Sequence, residues 1–548
     1  MKIRHLTLSM VVALLAATFT ATPLSAQSDA DVTGSGVAHP SFPSEAEIAP
    51  DISPQQHEAL FSQLLEKREK FAAEAQAKAG VADTGGAGQE ALGPQTGVAG
   101  AAREAPGTLV IGRNLKNTLA EAAANSTLAE PAAINNRAQV LYAGNLRHIE
   151  RSLNHGSTYA ALSFPAGPAD APTVCCDNDM TQDDVTKIGF VSTLYVNAGL
   201  TNGVVRIFVR PAANLAATSC FYTIDPAGTG NNILPDYPHI ALSRNFLYLS
   251  INALPTSGTG FARMYRFNLS QMRSCATTSF TTFTRSHSAG QRVWVPAGGA
   301  ENQTFMDWVQ HDTSTVMRIF HWPETAAAPT QVTRTLAASN FVNPDCRGGT
   351  GNFDFIERST AWSIAGFRTR TVVARGTNQP TGFVQAFWHS APTGGITQAH
   401  IRSAAFSLAG SPPGFGLLAQ PHIFNQGFCF GYPAVTANIL GDVGITLAFG
   451  GRAGGGGSAA QAAVGIDDNF TTSFGFGTVF LTAVGVANRS DGRFGDYYTI
   501  HRYQTCTRWF GAANYAWDSA PVDNPNDVNA RWVEFGREAH LACYQAAQ

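Results

Sequence analysis

The stretch Ser152-Leu153-Asn154-His155-Gly156-Ser157-Thr158-Tyr159 has the chemistry of a tight turn between two strands. The short polar side chain of Asn154 can fold back on the backbone amides that follow it. Gly156 supplies a position where φ is positive at no steric cost, and Tyr159 offers an aromatic face to bury against the next strand. Outward from this turn the pattern continues. From about residue 127 onward, short runs of alternating apolar and polar residues are separated by Gly, Pro and Asn clusters, the pattern of strands joined by turns.

These runs recur at roughly 50 to 70 residues, somewhat longer than four-stranded propeller blades, as enlarged loops require. The openings are Glu130-Pro131-Ala132-Ala133, Cys176-Asp177-Asn178-Asp179, Tyr237-Pro238-His239-Ile240, Met306-Asp307-Trp308-Val309, Phe353-Asp354-Phe355, Tyr432-Pro433-Ala434-Val435 and Gly495-Asp496-Tyr497-Tyr498. Strand-like segments follow them, such as Phe246-Leu247-Tyr248-Leu249-Ser250-Ile251. Seven openings predict an all-β fold, a seven-bladed β-propeller, with a six-bladed ring and one misread insertion as the alternative. Closure into a ring leaves only short, protected sheet edges. Trp294, Trp308, Trp322, Trp362, Trp388, Trp509 and Trp532 are spread through these segments, as packing between blades requires.

The N-terminal part reads differently. Lys2, Arg4 and His5 precede an apolar run and the small-residue site Leu24-Ser25-Ala26, so residues 1–26 are expected to be a signal peptide, removed before Gln27. In the segment 27–106, Ser53-Pro54-Gln55-Gln56 starts an amphipathic helix over 53–79, with Leu60, Phe61, Leu64, Leu65 and Phe71 on one face. This helix suits docking on the main domain, a removable pro-segment or a partner contact. The Ala/Gly-rich residues from 80 to 106 are expected to be a flexible linker, and 107–126 a transitional segment ahead of a propeller domain over 127–548.

Of the 548 residues only 14% are charged, against about 25% in an average globular protein, while 53 are Gly and 34 Phe. The formal net charge of -3 argues against nucleic acid and anionic membranes as partners. No segment approaches the roughly 20 apolar residues of a membrane span. The expected location is secreted or periplasmic. Eight cysteines in an exported chain invite disulfides, with on the order of a hundred pairings available. Cys506 with Cys543 is the expected staple near the C-terminus. Adjacent Cys175 and Cys176 do not bridge each other with ordinary geometry, which predicts that at least one reaches a distant strand. No cysteine or histidine grouping has zinc spacing.

The order Glu130-Pro131, Tyr142-Ala143-Gly144-Asn145, the turn at 152–159, Cys175-Cys176-Asp177, Tyr237-Pro238-His239, Asn245-Phe246-Leu247-Tyr248 and Gly492-Arg493-Phe494-Gly495-Asp496-Tyr497 resembles exported bacterial proteins with BNR or sialidase-like repeats, a group without an established activity. The turn itself is similar to the S-x-D-x-G-x-T-W Asp-box, with Asn for Asp and Tyr for Trp. The resemblance implies a propeller scaffold over about three quarters of the chain. Sialidase chemistry is not implied, since there is one degenerate box, no Arg-Ile-Pro motif and no assignable arginine triad.

In a propeller the inner strands converge on one axis, so residues at different openings can meet. The expected catalytic candidates are Asp177, Asp307, Asp496, Tyr497 and Arg493, and the expected ligand-binding residues are Glu130, His239 and Asp354. Two carboxylates held about 5 to 9 Å apart meet the demand of glycoside hydrolysis. An arginine beside a tyrosine suits an acidic sugar. The plain reading of each aspartate is a cap on loop amides, of His239 a packed core histidine, and of Arg493 with Asp496 a local ion pair. Asp177, Asp179 and Asp183, with Asp184, form an oxygen-rich run that suits calcium, against a solvated acidic turn as the default; the EF-hand pattern fails at Gln182 and Ile188. Residues 450–457 are Gly-rich but lack the Lys-Ser/Thr and helix of a phosphate loop, which predicts a flexible loop. Neither G-x-S-x-G nor H-E-x-x-H occurs.

Two function classes follow. One is an exported propeller that binds an extracellular glycan or polymer on its axial face, with glycan cleavage as an added activity, by hydrolysis with two carboxylates or by lyase chemistry with a Tyr or His base near Arg. The other is a protein-interaction scaffold of the cell envelope, with the 53–79 helix and long loops as contact surfaces.

Overall fold

The structure, a computed structural model, describes residues 31–43, 63, 66–67, 108–117, 130–144, 148–226, 232–286, 294–313, 315–336, 345–356, 366–370, 382–393, 395–467, 476, 479–489, 494–495, 497–517 and 528–548. Among these, the alternating runs pair into seven antiparallel sheets set around an axis, a seven-bladed β-propeller, plus one two-stranded hairpin. Blade 1 runs from Ala132–Asn136 to Ala160–Leu162 and blade 2 from Asp179–Gln182 to Cys220–Ile224. Blade 3 spans Ile233–Leu242 to Thr278–Ser286, blade 4 Phe305–Thr313 to Thr330–Thr335, and blade 5 Gly366–Arg370 to His422–Ile423. Blade 6 spans Cys429–Ala437 to Val479–Ala483, and blade 7 begins at Thr499–Arg502. In each blade the first of the strands named here is innermost.

Six of the seven expected openings fall at or within inner strands. The exception is Phe353-Asp354, which pairs with Arg347–Gly348 in the separate hairpin, while the inner strand of blade 5 is Gly366–Arg370. The hairpin packs on the Gly-rich residues 450–457. That stretch is tied down, not loose: Arg347 and Arg452 exchange backbone hydrogen bonds, and the Gly456 amide donates to Asn352 Oδ1 at 2.9 Å.

The ring closes through Leu109–Lys116, which pairs antiparallel with Arg531–Arg537 as the outermost strand of blade 7. The propeller therefore starts at residue 109, within what the composition suggested was a transitional segment. Further upstream, Val32–Ala38 pairs with Thr278–Ser286 and Pro40–Ser41 with Cys220–Ile224, so residues 31–43 strap the outer edges of blades 3 and 2. Residues 1–26 and 80–106, the expected signal peptide and linker, lie outside the described residues. Of the expected helix, residues 63, 66 and 67 are described and are helical. Lys67 Nζ donates to Leu200 O in a loop of blade 2 at 2.6 Å.

Packing between blades follows from their composition. Middle strands such as Gly189–Val196 and Gly203–Arg210 are buried along their whole length, because neighbouring blades cover both faces. Between blades 3 and 4, Trp308 stacks on Phe320 with centroids 5.0 Å apart and Phe283 on Trp294 at 5.6 Å. Arg266 lies over Trp322 at 4.4 Å. Each such pair adds about 0.5–1.5 kcal/mol beyond burial. Trp362 lies outside the described residues; the other six expected tryptophans, and Trp517, are buried.

The turn at 152–159 folds as its residues require. Asn154 Oδ1 accepts from the Thr158 amide at 2.9 Å and Ser152 Oγ from the Gly156 amide at 2.8 Å. Gly156 has φ of 85°, and a Cβ there would come within 2.9 Å of Trp532, so only glycine lets blade 1 seat against blade 7. Tyr159 packs edge-on against Tyr142. A second Asn-x-Gly-x-Thr turn, at 197–201, escaped the sequence reading: Asn197 Oδ1 accepts from the Thr201 amide at 2.9 Å.

Four disulfides join described cysteines. Cys506 bridges Cys543 as expected, and Cys220–Cys275 and Cys346–Cys429 are long-range. Against expectation, Cys175 bridges Cys176, with Cα atoms 3.7 Å apart, so neither reaches a distant strand. Among the described residues no helix is long and apolar enough to cross a membrane.

Candidate functional site

Four inner strands share one backbone device. Glu130, Asp177, Tyr237 and Tyr432 have φ of 23°, 58°, 52° and 52°, a left-handed conformation that costs a non-glycine residue about 1–3 kcal/mol. Each is followed by Pro or Asn. In blades 3 and 6 the strand register shifts at this point, between Asp236 and His239 and between Gly431 and Ala434. A bulge of this kind re-aims the side chains that follow it. Two residues on, Asp179, His239 and Ala434 all line one cavity on the axis.

The bulges are stitched to one another around the ring. Asp177 Oδ2 accepts from the Tyr237 amide at 3.2 Å, Tyr497 OH donates to Asn178 O at 3.0 Å, and Thr499 Oγ1 donates to Pro131 O at 2.9 Å. Blades 1, 2, 3 and 7 thus hold each other in register at the axis.

The cavity, of about 100 Å³, receives side chains from four blades and from the loop that leads into blade 4, among them Asp179, His239, Glu301, Thr436 and His501. Asp179 accepts from the amides of Met180 at 2.8 Å and Ile240 at 2.9 Å, and its Oδ2 lies 3.3 Å from His239 Nδ1. With Nδ1 turned to the carboxylate, Nε2 keeps the lone pair; it is buried with no hydrogen-bond partner. His501 Nε2 is likewise buried without a partner, and burial lowers this imidazole below the usual histidine range against the pull of Asp179. Tyr237 and Tyr497 meet edge to face at 5.8 Å, with His239 against both. Burial, reinforced by Asp177, Glu130 and Asp179, holds the Tyr497 phenol well above its usual range. Tyr497 is therefore a neutral hydrogen-bonding wall of the cavity, not a phenolate.

Beneath the cavity lies Arg502, fully buried in charge terms by four oxygens. Its Nε donates to Ala437 O and its Nη2 to Gly299 O, both at 2.7 Å, while Nη1 pairs with Asp184 and lies 3.1 Å from Glu301 Oε2. Burial raises the Glu301 carboxyl to about 7, Arg502 opposing and Asp184 adding to the shift.

Of the expected residues, Asp179, His239 and Tyr497 line the cavity. Asp177 and Glu130 are buried behind Tyr497 and act on it through their charge. The others go elsewhere. Asp307 pairs with His321 at 2.7 Å inside blade 4. Asp354 accepts from the amides of Cys346 and Ile356 at 3.0 and 2.8 Å, the capping role open to any aspartate in a turn. Arg493 and Asp496 lie outside the described residues. Asp183 accepts from the Thr186 amide at 2.8 Å and pairs with Arg273 at 2.8 Å. Among the described residues no three His, Cys, Asp or Glu are gathered as metal ligands; Asp177, Asp179 and Asp183 each accept from separate donors.

Glu301, His501 and Arg502 escaped the sequence reading. Glu301 follows a featureless Gly-Gly-Ala stretch. His501-Arg502 did carry a signal, since a charge inside an apolar inner strand must be paired when buried.

No family model and no curated protein matches this chain. Among solved structures it is similar to an α-L-arabinanase from Penicillium chrysogenum, at 8% identity over 78% of this chain and 98% of that one, with a TM-score of 0.37. It is similar to an α-L-arabinofuranosidase from Fusarium graminearum at 7% identity, over 76% and 96% of the two chains, with a TM-score of 0.36. For a sialidase from Trypanosoma rangeli the values are 9% identity, 59% and 53% coverage, and a TM-score of 0.32. The blade count rests on this chain's own strand pairing, and the substrates of those enzymes are theirs.

Proposed function

We propose that this chain is an exported propeller whose axial cavity binds the end of an extracellular glycan. The observation that carries the reading is the convergence of Asp179, His239, Thr436 and His501, from four different blades, and of Glu301, from the loop that leads into blade 4, on one concave site. Sugar hydroxyls are donors and acceptors at once, and carboxylate, imidazole and hydroxyl groups set among aromatic rings meet both needs. Export is supported by the leader-like first residues and by four disulfides, which persist in oxidising compartments. The bacterial repeat-family kinship suggested by the sequence order belongs to the same proposal. The scaffold reading has less support, because Lys67 is turned onto the Leu200 loop.

Ala434 is half-buried at the cavity wall and carries no polar group, so Ala434→Trp fills the cavity without removing a hydrogen bond. On a glycan array and by calorimetry, the native chain is expected to bind at least one glycan and Ala434→Trp to lose it while keeping its circular dichroism spectrum. A blank array, or binding unchanged in Ala434→Trp, overturns the axial assignment.

A further inference from the structure

Resting on that glycan-binding reading, we infer that the axial cavity hydrolyses glycosidic bonds of neutral sugars, with Glu301 as the acid and His239 as the base. Asp179 is the positioning residue.

The chemistry follows from how each group is held. The Asp179 carboxylate is itself fixed by two amides and faces His239 Nδ1, which leaves Nε2 buried, unpartnered and at the cavity wall. A carboxylate–imidazole pair so arranged makes Nε2 a proton acceptor, the imidazole being held in one tautomer. Glu301 lies at the same cavity, 3.1 Å from the shared guanidinium of Arg502, and burial raises its carboxyl to about 7, the range in which a general acid works. In the step, a water oxygen bonds to the anomeric carbon as His239 Nε2 takes one of its protons. The carbon–oxygen bond to the leaving group breaks, and the oxygen keeps the electron pair and receives the Glu301 proton. One water is consumed, and exchange with solvent returns each group to its starting state. The Tyr497 phenol donates to Asn178 O and the Asp179 carboxylate is taken up by two amides and His239 Nδ1, so neither is offered as a covalent nucleophile, and inversion at the anomeric carbon is the expected outcome.

Charge selects the sugar. The described cavity lining contains no lysine or arginine, and the Arg502 beneath it is engaged by Ala437 O, Gly299 O, Asp184 and Glu301. Nothing in this lining offers a free cation to a sugar carboxylate, whereas Asp179 repels one.

The test uses methyl and 4-nitrophenyl glycosides of neutral pentoses and hexoses in both anomers, soluble neutral polysaccharides, and 4-nitrophenyl uronides and sialosides as acidic counterparts. The full chain is expected to cleave neutral members only, with inversion seen by proton NMR. Glu301→Gln is expected to lower kcat at least about 10²-fold on a methyl glycoside and much less on the nitrophenyl one, whose leaving group departs without protonation. His239→Ala is expected to lower both, with azide restoring turnover as a glycosyl azide of inverted configuration. Asp179→Asn is expected to lower kcat with KM held. Glycan binding without cleavage of any substrate overturns the hydrolase and leaves the binding reading intact; loss of both overturns the two together. Cleavage of the acidic members, retention of configuration, or a Glu301→Gln effect equal for both leaving groups also overturns it.

Discussion

Glu301 and Asp179 are both carboxylates at one cavity, and their partners give them opposite roles. Asp179 receives two amide donors and faces His239 Nδ1. Glu301 has Arg502 at 3.1 Å, but Arg502 is shared with Asp184, so burial prevails and the carboxyl is raised to about 7. An unfolded glutamate loses its proton near about 4.3. Between those values the native state binds the extra proton, so the Glu301 contribution to stability is full below that window and is lost as pH rises through it. The groups that set this balance are Arg502, Asp184 and Asp183. Glu301→Gln cannot ionise, and thermal unfolding followed from about pH 4 to pH 8 is expected to show it gaining stability relative to the native chain as pH rises. A constant difference across that range would mean that folding leaves Glu301 at its unfolded value. None of this distinction is visible at the level of residue type: Asp354, which caps a turn, and Asp179, which holds an imidazole, stand in similar sequence surroundings.

Elements respond to chemistry within a few residues, and here the sequence speaks most directly. Tyr237-Pro238 and Tyr432-Pro433 mark bulged inner strands, and Asn154-His155-Gly156-Ser157-Thr158 folds into the turn its side chains dictate. Phe353-Asp354 has a similar look but pairs into the accessory hairpin, because Cys346–Cys429 and the Gly-rich stretch hold it there. The C-terminal helix Leu541–Ala546 is too short to persist alone. It depends on Tyr544 stacked on Trp509 at 4.0 Å and on Cys506–Cys543, which closes a loop with a sequence separation of 37. Replacing both cysteines by alanine is expected to lower stability by about 3–4 kcal/mol, read from the denaturant midpoint under non-reducing conditions. An unchanged midpoint would show that the Trp509–Tyr544 stack alone fastens the helix.

At the scale of the whole molecule, closure is the decisive event. Leu109–Lys116 crosses from the N-terminal side to cover Arg531–Arg537, the strand that carries the buried Trp532, Val533 and Phe535. A chain truncated through residue 117 would present that strand as an open apolar edge. Such a chain is expected to associate, seen as larger species by light scattering, and to lose axial binding, since Thr499–Arg502 belongs to the same blade. A monomer with intact binding would place closure outside the requirements of the site.

The alternation of residues, the turn chemistry and the spacing of openings determined by themselves that this chain forms radial sheets and about how many, because strand and turn formation depend on near neighbours. Two matters needed the folded ring. One is which strand completes blade 7, since Leu109–Lys116 and its partner lie more than four hundred residues apart in sequence. The other is which polar groups share the axis: Glu301, His501 and Arg502 acquire their environment from blades 2, 4, 6 and 7 at once, and burial and ion pairing of that kind arise only after the ring has closed.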